Sequence, residues 1–199
     1  MTITSEAELA ALYSEPSRAS IAKETDRILA PHARMIEASP FCILATLGPK
    51  GIDCSPRGDE PGFARVRDGR SVLLPDRRGN NRIDSLRNIV ANGRAGIIFL
   101  VPGKGEALRV AGTATVTADE ELRRSFAVRG KLPVTVIELR VQRVFQQCAR
   151  AIIRSALWRG VEARTDLPTA GEMTRAVDPS FDAETYDTAL AERQRRTLY

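Results

Sequence analysis

Tight turns separate a series of short apolar segments between residues 41 and 145, and this alternation constrains the fold more than any other feature. Residues 48–51 and 102–105 are typical Gly/Pro turns, and Asp68-Gly69 is the strongest hairpin signal. Strands are predicted over residues 41–47, 52–57, 62–66, 71–74, 95–101, 107–117 and 134–145. We expect these seven segments to supply about six strands, interrupted by two helices, in a mainly β fold with peripheral helices, arranged as an antiparallel barrel.

Helical signals flank the strand region and suggest how the chain is organised. Ser5 and Glu8 form a capping box, a second helix is predicted over residues 17–29, and Pro31 can open a third. The expected divisions are a helical extension over residues 1–40, a barrel domain over 41–160, and a loop with a helix over 161–199. Within the last part, residues beyond Gly160 are predicted to be loop until a helix near residues 182–196.

Three further helices are predicted from apolar spacing, over residues 83–92, 119–127 and 148–158. The first of them has a coherent apolar stripe, so we expect that stripe to be buried. Its members are Ile83, Leu86, Ile89 and Val90.

Composition narrows the functional classes. The net charge of +5 favours anionic ligands, but basic and acidic residues are interleaved and only 5% of residues are aromatic, so nucleic-acid binding is disfavoured. No apolar run approaches the ~20 residues of a membrane span, and no signal segment begins the chain, so we expect a cytoplasmic protein.

Metal and disulfide chemistry are also disfavoured. The three cysteines are widely spaced, and His32, the sole histidine, has no ligand neighbour at helical spacing. We expect no metal site, and we expect His32 to be a surface or half-buried residue. Cys42 and Cys54 lie in strand-like segments and are expected to be core thiols.

The segment LPDRRGNNRIDSL, residues 74–86, is the best candidate for an anion site. An apolar strand runs there into a helix through a turn that carries Arg77, Arg78, Asn80, Asn81 and Arg82. Free N–H groups at a helix N-terminus together with guanidinium groups suit a phosphate. An ordinary basic surface turn with an Asn cap explains the same residues.

Other arginines lie near irregular backbone or in unexpected places. In Ser55-Pro56-Arg57-Gly58-Asp59, Pro56 indicates an edge or irregular strand end, although Arg57 and Asp59 could simply pair at the surface.

Two more segments have the same ambiguity. Arg109 falls inside an apolar strand, where it either extends to water or meets an anion. Arg150 and Arg154 share one helix face near Trp158, which a solvated basic face with a packing tryptophan would also explain.

The order of these motifs resembles the pyridoxamine 5′-phosphate oxidase-like flavoproteins, most closely the FMN-binding branch that carries the SPRGD and GNNR signatures. The likeness covers roughly residues 41–158. It implies a six-stranded split β-barrel that forms a homodimer, with FMN in a cleft between the subunits. The cofactor-binding residues that it implies are Ser55, Arg57, Pro75, Asp76, Arg77, Asn80, Asn81, Arg82, Arg109, Arg150, Ser155 and Trp158.

The resemblance also implies a role for each group. Residues 80–82 would bind the FMN phosphate, and Arg109 would lie near it. Ser55 and Arg57 would border the ribityl chain and ring, and residues 75–77 would lie beside the ring. The partner subunit would supply its residues 150, 155 and 158.

Two departures from the family pattern bear on activity. The Arg-x-His substrate motif near the C-terminus is missing, and residues 125–133 read SFAVRGKLP where a Tyr-x-x-x-Arg segment is expected. The expected function is therefore an FMN-dependent oxidoreductase acting on an unidentified small substrate, with no catalytic acid or base singled out. The alternatives are a non-catalytic FMN carrier or sensor, and a deazaflavin-dependent reductase of the same fold.

Overall fold

The computed structural model describes residues 2–160 and 166–199, and all structural statements concern those residues. The predicted N-terminal and C-terminal extensions include residue 1 and residues 161–165, which lie outside the described residues. The strands are β1 (Phe41–Gly48), β2 (Gly51–Gly58), β3 (Arg65–Arg67), β4 (Ser71–Asp76), β5 (Arg94–Leu100), β6 (Ala107–Thr117) and β7 (Thr135–Gln147). The helices are α1 (Glu6–Ala10), α2 (Arg18–Ala22), α3 (Ala30–Ala38), α4 (Asp84–Asn92), α5 (Glu120–Ser125), α6 (Arg150–Ser155), α7 (Ala170–Val177) and α8 (Ala183–Arg196).

All seven strands form one antiparallel sheet in the order β2-β1-β5-β6-β7-β4-β3. The mainly β antiparallel prediction is confirmed, but the expected count of six strands is not, because the three-residue β3 also pairs with β4. A strand is predicted over residues 62–66, but it begins only at Arg65. The Gly62 N–H donates instead to the Glu37 carbonyl at the end of α3, and the Phe63 N–H donates to the Glu60 carbonyl in a turn.

Glycine allows a tight turn between β3 and β4 and a close approach of β6 to β7. Asp68 and Gly69 both have positive φ, of 59° and 68°, which is the backbone of a tight hairpin turn between β3 and β4. Gly112 lies at a bulge between β6 and β7, where a Cβ atom would come within 1.9 Å of the Arg140 carbonyl oxygen. Only glycine allows that close approach of two strands.

The core lies between the curled sheet and helices α3 and α4. Ile36 of α3 and Ile89 of α4 are buried in the same cluster as Leu44, Phe99 and other strand residues. The expected buried stripe of α4 is partly wrong, because Val90 is 79% exposed and Ile83 precedes the helix and is 44% exposed. Only one narrow side of this helix faces the sheet.

The N-terminal helices begin where the sequence predicts, but one helix and one cysteine differ from expectation. The capping box of Ser5 and Glu8 is present, and Pro31 lies in the first turn of α3. The second helix is much shorter than predicted, since α2 ends at Ala22. Cys42 is buried, but Cys54 is exposed because β2 is an edge strand, so its assignment to the core was wrong.

The C-terminal part contains a helix that was predicted as loop. Thr169 and Glu172 form a capping box at the start of α7, which then pairs with α8. The Thr-x-x-Glu spacing that signals this cap is visible in the sequence. Across the described helices, none has both the length and the apolar character required to span a lipid bilayer.

Candidate functional site

Two ion pairs join the ends of β2 and β4, strands that are not neighbours in the sheet. Arg57 Nη1 donates to Asp76 Oδ1 at 2.5 Å, and Arg77 Nε donates to Asp59 Oδ2 at 2.7 Å. Each strand end therefore supplies one arginine and one aspartate. We call these four residues the β2–β4 seam. Because no strand pair described here connects β2 with β4, the seam brings the two sides of the curled sheet together through side chains.

The seam residues are mostly shielded from solvent. The side chains of Asp59, Asp76, Arg77 and Arg57 are 5%, 15%, 16% and 18% exposed. The surface pair of Arg57 with Asp59, considered as an alternative from the sequence, does not form. Each of these residues instead finds its partner across the seam, where a charge pair is screened less by water.

A cavity of about 460 Å³ opens beside the seam. This volume lies within the range of small-molecule sites, about 300–1,000 Å³. Apolar, amide and cationic side chains line the same space. The lining residues are Ser55, Pro56, Arg57, Gly58, Phe63, Pro75, Asp76, Arg77, Arg78, Gly79, Asn80, Asn81, Ile83 and Val134.

Most of the predicted cofactor-binding residues meet in this cavity. The residues brought together are Ser55, Arg57, Pro75, Asp76, Arg77, Asn80 and Asn81. They come from two strand ends and one loop that are distant in sequence. The structure thus places the two leading motifs, SPRGD and LPDRRGNN, on opposite sides of one space.

The loop over residues 77–83 has an unusual backbone. Asn81 and Ile83 adopt left-handed conformations with φ of 60° and 52°. For a β-branched residue such as Ile83 this conformation is strained, at a cost of about 1–3 kcal/mol. The surrounding contacts must hold it in place, as is common where a loop shapes a binding site.

The start of α4 differs from the prediction. The N-cap is Ile83, with no side-chain cap, rather than an asparagine. Asn80 Oδ1 accepts from the Arg82 backbone N–H at 3.1 Å within the preceding loop. Arg82 itself does not line the cavity, and its Nε donates to Asp84 Oδ2 at 2.9 Å on an exposed surface.

Arg109 lies apart from the cavity, on the outer face of β6. Its guanidinium stacks over the Phe145 ring, with 4.7 Å between Cζ and the ring centroid. Arg109 is exposed, so the sheet does not bury a charge here. An exposed arginine on an aromatic ring is a cation–π contact of about 0.5–1 kcal/mol.

The predicted residues of α6 also lie apart from the cavity. Arg150 and Ser155 are exposed, and the Ser155 hydroxyl donates to the Ile152 carbonyl at 3.2 Å. Trp158 is half-buried, and its Nε1 donates to the Lys104 carbonyl at 2.8 Å. Within one chain, α6 and the cavity do not form a single site.

Sequence reasoning missed two residues that support the cavity. Asp59 was considered only as a surface partner of Arg57, although it pairs with Arg77. Tyr199 was not considered, yet its hydroxyl donates to Asp59 Oδ1 at 2.6 Å. Gly58, between Arg57 and Asp59, allows a close approach of the chain, because a Cβ there would lie 3.1 Å from the Pro40 carbonyl oxygen.

The electrostatics favour an anion. Three guanidinium groups line the cavity, from Arg57, Arg77 and Arg78; the first two are paired with Asp76 and Asp59, which leaves Arg78 as the cation with no described ion pair. Burial tends to raise the pKa of Asp59, but hydrogen bonds from Tyr199 and Glu60 and the charge of Arg77 outweigh it, so the pKa of Asp59 lies below its ordinary value. The carboxyl group of Asp59 is therefore ionised near neutral pH.

Two buried polar atoms near the cavity have no hydrogen-bond partner in the described chain. They are Arg57 Nε and Thr135 Oγ1, and Thr135 pairs with Asp76 in the β4–β7 ladder. Unsatisfied buried groups are uncommon in proteins, and they often mark functional sites.

A larger cavity, of about 690 Å³, lies elsewhere between α3 and the β5–β6 turn. His32 borders it in a half-buried position, as expected, and burial lowers the pKa of His32. None of the predicted cofactor-binding residues lines this cavity. We assign the candidate site by the residues that converge on it rather than by size.

The curled antiparallel sheet, with a side-chain seam and a cavity beside it, has the architecture of a split-barrel fold. Residues 29–148 match the sequence profile of the pyridoxamine 5′-phosphate oxidase family. Since this match spans more than half of the chain, the protein belongs to that family.

Solved structures agree on the fold. Two structures of HupZ from Group A Streptococcus are similar: one is 21% identical with a TM-score of 0.51, covering 60% of this chain and 99% of that one. The other is 20% identical with a TM-score of 0.50, covering 69% of this chain and 99% of that one. Among curated protein sequences, none matches this chain.

Proposed function

We propose that the cavity beside the β2–β4 seam binds FMN. The observation that carries this proposal is the convergence of the SPRGD and LPDRRGNN segments on one cavity of about 460 Å³. The sequence predicts the LPDRRGNN segment as an anion site, the resemblance places the SPRGD segment beside the ribityl chain and ring, and members of the family commonly bind flavin.

The lining residues fit the parts of FMN. Arg57, Arg77 and Arg78 supply positive charge for the phosphate, and charged hydrogen bonds of this kind are the strong ones. Asn80, Asn81 and Ser55 can donate to or accept from hydroxyl groups. The apolar members of the lining suit a flat ring, and they are Pro56, Phe63, Pro75, Ile83 and Val134.

We propose that the protein is an FMN-dependent oxidoreductase that acts on a small substrate. Bound FMN would supply the redox chemistry, while the chain's own residues bind, orient and shield it. Asp76 and Asp59 fix the guanidinium groups of Arg57 and Arg77 before a ligand arrives. Such preorganisation reduces the entropy lost on binding.

We also propose a homodimer in which a second copy completes the site. Arg109 and the residues of α6 do not line the cavity of their own chain, and Arg109, Arg150 and Ser155 are exposed. Apolar side chains are also exposed on the sheet, including Ile52 at 79%. In a symmetric dimer each copy would offer its α6 to the cavity of the other.

A non-catalytic FMN carrier or sensor is the second candidate. One observation favours it: the ionisable side chains in the described lining are three arginines and Asp76, which is already bound to Arg57. The described lining therefore offers no unpaired carboxylate, histidine or thiol as a general acid or base. A deazaflavin-dependent reductase is the third candidate, and the flavin that copurifies with the protein separates it from the first two.

An absorption spectrum of the purified protein tests the cofactor, and photoreduction tests the activity. We expect the purified protein to show a flavin absorption spectrum. This spectrum should disappear when the flavin is removed and return when FMN, but no other flavin, is added back. The flavin is then reduced by light without oxygen and exposed to oxygen and other acceptors. Rapid reoxidation by one acceptor supports the oxidoreductase, whereas flavin that is inert to all of them supports the carrier. A colourless protein that takes up no flavin contradicts both.

A further inference from the structure

Tyr199 connects the α7–α8 hairpin to the barrel. Two described hydrogen bonds join residues 170–199 to the barrel, and Tyr199 makes both of them. Its hydroxyl donates to Asp59, and its main-chain oxygen accepts from Lys131 Nζ at 2.8 Å. The guanidinium groups of Arg129 and Arg77 also lie 5.4 Å and 6.0 Å from its ring centroid. Tyr199 thus has one defined position beside the seam.

Tyr199 is the first link in a chain of hydrogen bonds that leads to the cavity. Its hydroxyl donates to Asp59 Oδ1 at 2.6 Å, and Arg77 Nε donates to Asp59 Oδ2 at 2.7 Å. Arg77 Nη1 donates to the Phe126 carbonyl at 2.7 Å. Two of the three nitrogens of this guanidinium are therefore held by the protein, while Arg77 lines the cavity.

We propose that Tyr199 is a positioning residue that orients Arg77, through Asp59, toward an anionic ligand in the cavity. This inference rests on the proposed function, because it takes the cavity to be the ligand site. Arg77 Nη2 has no hydrogen bond to the described protein groups, so its N–H groups remain for the ligand. With Asp59 held on both oxygens, the direction of that donor is fixed.

The Tyr199 hydroxyl limits the rotation of the Asp59 carboxylate, as its remaining hydrogen bonds show. Without the hydroxyl, Asp59 Oδ1 accepts only from the Glu60 backbone N–H at 2.8 Å, a local contact that leaves the carboxylate freer to rotate. The Arg77 guanidinium follows its partner, since Asp59 holds its Nε. The hydrogen bond to Asp59 also raises the pKa of Tyr199, so the phenol stays protonated and remains a donor.

The simpler explanation is that Tyr199 only fastens the hairpin to the barrel. Tyr199→Phe separates the two, because it keeps the ring near Arg129 and the main-chain contact with Lys131 and removes only the hydroxyl. Tyr186→Phe is the matched control: Tyr186 lies in α8, packs against Phe181, and has no described hydrogen bond from its hydroxyl.

The test measures Arg77 directly as well as ligand binding. Hydrogen exchange of the Arg77 Nε–H group is followed by NMR without flavin, and FMN affinity is measured by fluorescence titration. We expect Tyr199→Phe to accelerate the exchange and to weaken FMN binding about 3- to 10-fold, the effect of one lost hydrogen bond. Tyr186→Phe should match the unsubstituted protein in both.

The outcomes are distinguishable. If Tyr199→Phe leaves the hydrogen exchange of Arg77 Nε–H unchanged, Tyr199 does not position Arg77. A lower unfolding temperature together with unchanged exchange would mean that Tyr199 only fastens the hairpin to the barrel. Faster exchange with unchanged FMN affinity also overturns it, since the ligand then ignores the orientation of Arg77. If the unsubstituted protein binds no FMN, the proposed function fails, and the flavin-free exchange still decides whether Tyr199 orients Arg77.

Discussion

The β2–β4 seam and helix α6 hold the predicted cofactor residues in opposite ways. At the seam, Arg57 and Arg77 are largely shielded, and each is held by an aspartate within 2.7 Å. On α6, Arg150 and Ser155 are exposed, and no described ion pair holds Arg150. One region is organised before any ligand arrives, and the other is a free surface.

This difference separates two parts of a binding site. Arginines that are fixed by buried partners can orient a ligand at little entropic cost. Exposed arginines on a short helix gain order only when something docks on them. We infer that one chain forms the cradle for the ligand and that α6 contributes when a second copy is present.

The largest expected effect comes from breaking the seam. Asp59→Ala leaves the Arg77 guanidinium without its carboxylate in a shielded place, so we expect a loss of about 3 kcal/mol in the free energy of unfolding. Urea denaturation measures it. The matched control is Asp84→Asn, which breaks the exposed pair with Arg82 and should cost about 1 kcal/mol or less. Equal effects from the two variants would show that the seam is no more important than a surface pair.

The next effect concerns the ligand. Arg57→Ala removes a fixed cation from the cavity, and we expect FMN to bind about 10- to 100-fold more weakly, as for the loss of a charged hydrogen bond. Arg124→Ala, on the exposed face of α5, is the control and should leave the affinity unchanged. Equal affinities in all three proteins would place FMN elsewhere.

Mixing two defective variants tests whether α6 acts across the dimer. Arg57→Ala damages the cradle and Arg150→Ala damages α6, so a mixed dimer has one intact site and one doubly damaged site. With random exchange of subunits, about a quarter of all sites should regain normal FMN affinity. Recovery measured by flavin fluorescence supports the shared site. No recovery in a sample proved to contain mixed dimers would restrict the site to a single chain.

Acid sensitivity is the smallest of the expected effects. Because the folded-state pKa of Asp59 is depressed, its stabilising contribution is present above the ordinary aspartate pKa and is lost as the pH falls through the folded value. Urea denaturation between about pH 6 and pH 3 should show a shallower loss of stability in Asp59→Asn than in the unsubstituted protein. Asp26→Asn, an exposed carboxylate that lies 3.8 Å from Arg70 Nη1, is the control.

Local patterns predicted most strands and turns. The Asp68-Gly69 turn and the long β6 lie where the sequence indicates, because each depends on neighbouring residues. Helix α7 could have been found from its Thr169 and Glu172 cap, and it was missed because the surrounding residues are polar. Val90 was placed in the core because spacing alone does not show how wide the buried face of α4 is.

The partners in the site could not be predicted in this way. The sequence brings Arg57 and Asp59 within two residues of each other, but the curl of the sheet gives each a partner near residue 76. Tyr199 and Asp59 are 140 residues apart, and no local pattern links them. The motifs therefore indicated which segments meet at the cavity, and the strand order determined which side chains pair there.

The most direct measurement is a titration of the flavin-free protein with FMN, followed by flavin fluorescence, for the unsubstituted chain and Arg57→Ala in parallel. We predict saturable binding of one FMN per chain and a clear loss of affinity in the variant. Absence of binding, or binding that Arg57→Ala leaves unchanged, would contradict the assignment of the seam cavity as the flavin site.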